Sequence, residues 1–147
     1  MKSIAEALYK YVKNGKIKCG IGVEESTIEL AEHTMEVTFP DDLKQYLKAY
    51  GWITFGNIEL FGLGENIPLH LNLVQNYKEE TTQGDLPKDL IPFHNNGAGD
   101  LTCVRSVKEN NSRSESKVVV YWHEDSAIEE QKEIFLSWIV DRIENNL

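Results

Sequence analysis

The feature that most constrains the fold of this chain is a change of hydrophobic period at Gly51. Before that glycine, apolar residues recur at i, i+3, i+4 and i+7, which predicts a helix that begins at Pro40. The residues of this stripe are Leu43, Tyr46, Leu47 and Tyr50. After it, two short apolar segments, 52–55 and 58–61, flank Gly56-Asn57, a dipeptide typical of a two-residue hairpin turn. The chain therefore combines helices with an antiparallel sheet.

The same patterns predict the remaining elements. Further helices are expected at 3–14, 24–36, 68–81 and 126–145, and further strands at 90–93, 101–107 and 117–122. A polar loop is expected at 110–116. Capping-box spacing marks three helix starts, at Ser3 with Glu6, Ser26 with Glu29, and Ser126 with Glu129, and Asn66 is a candidate cap for the helix at 68–81. Pro92 makes a central position in the sheet unfavourable for its strand.

The predicted fold class is α+β, with a mixed or mainly antiparallel sheet of about five strands and helices packed against it. A length of 147 residues and a hydrophobic fraction of 41% suit one domain, 1–147, with its own core. No apolar run approaches the roughly 20 residues that span a bilayer, and 1–11 lacks the apolar segment of a signal peptide. Cys19 and Cys103 are interpreted as thiols, with Cys103 in the core. A cytoplasmic protein is expected.

The charge is strongly acidic and unevenly distributed. The net charge is −9, from 15 basic and 24 acidic residues. The basic N-terminal helix segment, 1–18, holds five Lys and one Glu (+4), whereas 19–147 hold ten basic and 23 acidic residues (−13). Such a surface repels nucleic acid and anionic membranes and suits a basic protein partner, although acids that only keep a domain soluble give the same totals.

Four segments resemble, in order and spacing, the SUKH superfamily, which includes yeast cell-wall-synthesis regulators and many bacterial immunity proteins. They are Phe39–Leu47, Ile91–Phe93 with Gly97–Asp100, Val118–His123, and Phe135–Ile139. The positions that carry the motifs are Pro40, Gly97, Gly99, Asp100 and His123. The resemblance covers about 24–147 and leaves out the first helix. The chain departs from the usual pattern at Tyr50-Gly51-Trp52, where Asn-Gly-Gly is common, and at Cys103-Val104-Arg105, where an acid is common.

The resemblance implies a SUKH-like α+β domain and, for a bacterial member, an immunity protein that neutralises a polymorphic toxin, often a nuclease. A regulatory scaffold, as in the yeast branch, is the alternative that it leaves open. A basic toxin domain is the expected partner. The candidate partner-binding residues are Glu24, Glu25, Asp41, Asp42, Trp52, Asp100, Trp122, Glu124 and Asp125, together with Glu129. Each acid taken alone is more typical of a solvated surface than of a partner contact, and Trp138 is expected in the core by its helical phase.

No catalytic residue, cofactor or metal is predicted, and the chain is not expected to be an enzyme. The segment 95–100 is either a turn of positive-φ glycines, with Asp100 accepting backbone hydrogen bonds, or a backbone nest for an anion. The four histidines, His33, His70, His94 and His123, lack paired metal-ligand spacing. A small metal-dependent hydrolase that uses His94, Asp100 and His123, with Cys103 nearby, is a second alternative.

Overall fold

The structure, a computed structural model, describes residues 3–107 and 116–145, in which five α-helices surround one sheet. The helices are α1 (Ile4–Lys13), α2 (Glu25–Met35), α3 (Asp41–Tyr50), α4 (Leu73–Thr82) and α5 (Phe135–Asn145), and a 3₁₀ turn spans Leu69–Leu71. The strands are β1 (Lys18–Cys19), β2 (Ile53–Phe55), β3 (Ile58–Leu60), β4 (Leu90–Asn95), β5 (Leu101–Arg105), β6 (Lys117–Trp122) and β7 (Ala127–Ile134). The loop predicted at 110–116 lies, apart from Ser116, outside the described residues.

The sheet of the described residues has seven strands in the order β1 to β7, and every neighbouring pair is antiparallel. The pairing of Phe55 with Ile58 confirms the hairpin at Gly56-Asn57. The α+β class is confirmed, but the expected number of about five strands is too small. The two additional strands are β1, which has only two residues, and β7, which the sequence pattern assigned to a helix.

The helix predicted at 126–145 begins at Phe135 instead, because 127–134 form the edge strand β7. Ser126 has a left-handed φ of 54° and belongs to the turn between β6 and β7, so the capping box with Glu129 does not exist. In β7, Ala127 pairs with Trp122 and Glu129 with Val120. Pairing with the edge of β6 thus outweighs the helical preference of a segment rich in Glu, Gln and Lys.

Three other local predictions can be compared with the structure. Ser3 caps α1, because its Oγ accepts from the Glu6 N–H at 3.2 Å. The capping box at Ser26 is wrong: α2 begins at Glu25, and its N-cap, Glu24, makes no side-chain cap bond. The helix predicted at 68–81 is divided into the 3₁₀ turn and α4, and Asn72 rather than Asn66 caps α4.

Pro92 occupies the middle of the sheet, contrary to the prediction from its missing N–H. Its strand β4 lies between β3 and β5. The register of β4 shifts between Pro92 and His94, and β3 pairs with β4 only where Leu60 faces His94. Proline is tolerated at such a bulge because the regular hydrogen-bond ladder is interrupted there.

The central strands β4, β5 and β6 are largely buried on both faces of the sheet. Side chains alternate along β5 and β6, so Val104 and Val118 join the main core, whereas Cys103 and Val119 join a second cluster. The main core contains a series of edge-to-face aromatic contacts with ring centroids 4.9–5.6 Å apart, formed by Tyr46, Phe93, Phe135 and Trp138. Full burial of each such side chain contributes about 2–3 kcal/mol. These contacts hold α3 and α5 against the sheet. Trp138, in the main core, and Cys103, in the second cluster, are both buried, as predicted.

None of the helices in the described parts of the chain has the length and apolar character that a membrane crossing requires.

Candidate protein-binding site

A cavity of about 210 Å³ lies between α5 and the sheet, at the end of the sheet where β6 turns into β7. Thr102, Val120 and Trp122 line it from the strands, on the same face as Val118. Trp122 ends β6 and is 39% exposed, so its ring is accessible at the mouth of the cavity. The cavity therefore presents an aromatic surface to solvent.

The opposite wall consists of Trp138 and Arg142, which share one face of α5 because they are four residues apart. The Arg142 guanidinium lies over the Trp138 ring, 4.7 Å from its centroid. It is also ion-paired with Glu133 at 3.1 Å and with Asp141 at 2.6 Å. Two carboxylates thus offset the positive charge of this wall.

His94 completes the wall of the cavity. Burial lowers its pKa below the usual value, against the raising effect of a hydrogen bond to the Glu59 carbonyl. Because a carbonyl can only accept, Nδ1 of His94 is the donor of that 3.2 Å bond. The ring lies 5.3 Å from the Trp138 ring. His94 therefore packs against Trp138 as an aromatic ring, and its lowered pKa disfavours the charged form in the cavity.

The rim of the cavity is the β4–β5 turn, 95–100, and the structure favours the turn interpretation over the anion nest. Gly97 and Gly99 have φ values of 89° and 97°. The Gly97 N–H donates to Asn95 Oδ1 and the Ala98 N–H to Asn96 Oδ1, both at 2.8 Å. Side chains of the turn itself thus satisfy the backbone groups that an anion would need.

Asp100 connects this turn to the β6–β7 turn. Its Oδ1 accepts from the His123 N–H at 3.1 Å and lies 2.8 Å from His123 Nδ1. The side-chain hydrogen bond from His123 is the main cause of a lowered pKa for Asp100, and a bond from Asn96 adds to it. A Cβ on Gly99 would lie 3.1 Å from the His123 ring. Four of the five motif positions therefore meet at one place, whereas Pro40 is the N-cap of α3.

Some of the candidate partner-binding residues share this end of the sheet. Asp100 and Trp122 line the cavity, Glu124 and Asp125 are exposed in the β6–β7 turn, and Glu129 follows on β7. We call these five residues the acidic-aromatic surface.

The other candidates lie elsewhere. Glu24 and Glu25 begin α2, where Glu25 pairs with Lys48 of α3, and Asp41 begins α3. Trp52 is half-buried and packs against Gly20. It precedes β2, four strands from β6, which corresponds to about 19 Å at about 4.8 Å per strand. These four residues do not join the acidic-aromatic surface.

Asp42 does not face a partner, contrary to the prediction. It is 5% exposed, and its carboxylate accepts from the Ser116 N–H at 2.6 Å, the Ser116 hydroxyl at 3.0 Å and the Leu43 N–H at 2.9 Å. Burial raises the pKa of Asp42, and these hydrogen bonds oppose the rise. Asp42 therefore joins α3 to the start of β6.

The histidines do not form a metal centre with the other candidate ligands. In 3–107 and 116–145, no group of three or more His, Cys, Asp and Glu side chains is arranged to hold a metal ion. Cys103 belongs to the cluster on the opposite face of the sheet, where burial raises the pKa of its thiol. His70 pairs with Glu59 at 3.0 Å and is not among the residues that line the cavity. The grouping of Cys103 with His94, Asp100 and His123 is therefore wrong.

His33 lines a second, larger depression, of about 630 Å³, between the end of α2 and the end of β5. Glu32, which also lines it, accepts from the Phe39 N–H at 2.8 Å and lies 3.9 Å from Lys44. These contacts fix the chain between α2 and α3.

The sequence patterns did not indicate four residues that line the cavity, namely Thr102, Val120, Gln131 and Arg142, and they included Asn96 only as part of the segment 95–100. The i, i+4 spacing of Trp138 and Arg142 could have indicated that both residues lie on one face of α5. No pattern indicated Gln131, because the sequence assigned its segment to a helix.

Fold and site together define a helix-flanked antiparallel α+β domain with an acidic, aromatic surface at one end of its sheet. The sequence model of the SUKH_5 family, described as SMI1-KNR4 cell-wall, matches residues 1–144, and the chain belongs to this family and to the SUKH superfamily. The match includes α1, which the resemblance in the sequence left out.

A solved structure of a protein from Pseudomonas syringae pv. tomato has the same fold. The TM-score is 0.68 at 17% sequence identity, over 97% of this chain and 98% of that chain. No curated protein matches the chain.

Proposed function

We propose that this protein is a bacterial immunity protein that acts in the cytoplasm, where it binds and neutralises a basic toxin, in particular a nuclease. The observation that carries the proposal is the acidic-aromatic surface: an exposed Trp122 stands beside Asp100, Glu124 and Asp125, where the family motif positions meet. Tryptophan is enriched among the residues that dominate binding energy at protein interfaces.

Neutralisation by binding needs no chemical step in this protein. A nuclease site is basic because it holds phosphates, and an acidic surface that covers the site excludes the nucleic acid. The opposite charges also accelerate association through electrostatic steering. The proposed role is therefore that of a binding protein and not of an enzyme.

A regulatory scaffold is the second candidate, favoured by the cell-wall description of the matching family. A scaffold would bind several unrelated proteins through the same surface. Recovery of many partners in similar amounts, and no protection against a toxin, would support this alternative.

Co-expression with the toxin domain encoded by the neighbouring gene tests the proposal. We expect a stoichiometric complex, survival of cells that produce the toxin, and a loss of affinity of about 100-fold for the double variant Glu124→Lys/Asp125→Lys. The matched control is Glu24→Lys/Glu29→Lys, a double charge reversal at two exposed acids outside the surface, which should change the affinity by less than about threefold. Survival of the cells without a complex between the two proteins would contradict the proposal. Equal losses of affinity for the test variant and the control would also contradict it.

A further inference from the structure

The cavity has the size of a site for one side chain. Its volume of about 210 Å³ is below the roughly 300–1,000 Å³ of typical small-molecule pockets. Asp100 and Trp122, two residues of the acidic-aromatic surface, line it, so a protein bound to that surface would contact the cavity. An anchor residue of the partner is therefore a natural occupant.

Two indole rings line the cavity, and one of them already carries a guanidinium. Arg142 lies 4.7 Å from the centroid of Trp138, which is buried. Trp122 is the more exposed of the two, and its ring is accessible to an incoming group. Tryptophan is the side chain that attracts a cation over its face most strongly.

The charges around the cavity favour a cation over an anion. Glu133 and Asp141 offset the charge of Arg142, and Asp100 adds a carboxylate at the rim. A carboxylate has about four lone-pair positions. In Asp100, His123 donates two hydrogen bonds to these positions and Asn96 donates one. One lone-pair position therefore remains for a further donor.

We propose that this cavity receives one arginine side chain of the basic protein partner, with its guanidinium on the face of Trp122 and a hydrogen bond to Asp100. The inference rests on the proposed binding of a basic protein. Arginine suits the site better than lysine because its planar group stacks on an indole while its edge donates to a carboxylate. Its aliphatic stem would pack against Val120.

A titration with small arginine probes tests the inference without the toxin. N-acetylarginine methylamide is added to the full chain, and NMR follows the indole N–H signals of Trp122 and Trp138 and the side-chain amide signal of Gln131. We expect saturable shifts of the Trp122 and Gln131 signals. The neutral citrulline analogue has the same shape, and we expect it to bind about tenfold more weakly.

Two variants and one control complete the experiment. Trp122→Leu and Asp100→Asn should each weaken binding of the arginine probe several-fold, whereas Glu24→Gln should leave it unchanged. N-acetyllysine methylamide is titrated in the same way, and we expect it to bind more weakly than the arginine probe. No saturable shift, equal binding of the arginine and citrulline probes, or tighter binding of the lysine probe would overturn the inference. A toxin complex that forms without arginine binding in the cavity would leave the proposed function intact and remove only this inference.

Discussion

At the scale of single residues, Asp42 shows how one buried carboxylate connects distant parts of the chain. Replacement by Ala leaves the Ser116 N–H and hydroxyl without their acceptor in the interior. We expect Asp42→Ala to lower the free energy of unfolding by about 2–4 kcal/mol in urea denaturation. The neighbouring Asp41→Ala, which affects only the first turn of α3, should cost less than about 1 kcal/mol. Similar losses for the two variants would contradict this role of Asp42.

The link between Asp100 and His123 predicts a pH dependence of stability. Because the pKa of Asp100 is lowered in the folded protein, the carboxylate stabilises the fold fully above its ordinary pKa of 3.8. That contribution is lost as the pH falls through the lowered value. Wild type should therefore exceed Asp100→Asn in stability at pH 7, and the difference should vanish in acid. Unfolding curves measured between pH 7 and pH 2 check this, and a difference that does not change with pH would argue against the link.

The sequence permits some of these residue-level predictions and not others. Asn-Asn-Gly-Ala-Gly-Asp at 95–100 predicts a turn with positive-φ glycines, because the preferences involved are local. Asp42 follows a proline at a helix start, where an exposed acid is the ordinary expectation. Its partner Ser116 is 74 residues away, and no local pattern indicates such a contact.

At the scale of elements, the turn before β7 allows a test of whether 127–134 form a strand and not the predicted helix. Ser126 has φ 54°, a conformation that costs a non-glycine residue about 1–2 kcal/mol. We expect Ser126→Gly to be neutral or to stabilise the protein by up to about 1 kcal/mol. Ser137→Gly, the same change at an exposed position of α5, should destabilise it by about 0.5–1 kcal/mol. Thermal unfolding measures both, and a clear loss for Ser126→Gly would contradict the observed turn.

The elements differ in how far the sequence determines them. The apolar residues follow a single period along the whole of α1, α3 and β6. The observed bounds of these three elements lie within a residue or two of the predicted ones. β7 has few apolar residues in 127–134, so neither period is distinct, and pairing with β6 decides its structure. The position of β4 in the sheet likewise depends on the bulge beside Pro92, which is a property of the assembled sheet.

At the scale of the whole molecule, the net charge of −9 predicts how association with a basic toxin responds to salt. Long-range attraction raises the association rate and is screened when the Debye length falls from about 14 Å at 0.05 M to about 4 Å at 0.5 M salt. We expect the association rate constant to fall by about tenfold or more over this range. The dissociation rate constant should change less, because contacts at short range are screened less. Stopped-flow mixing measures both constants, and an association rate that does not respond to salt would contradict the electrostatic account.

The central claim is that the partner binds at the end of the sheet where the β4–β5 and β6–β7 turns meet. Hydrogen–deuterium exchange of this protein, free and bound to the toxin, tests the claim most directly. We predict new protection in 95–101 and 120–131, with little change in α1 and α2. Protection confined to α1, α2 and α3, with these two turns exchanging as in the free protein, would contradict it.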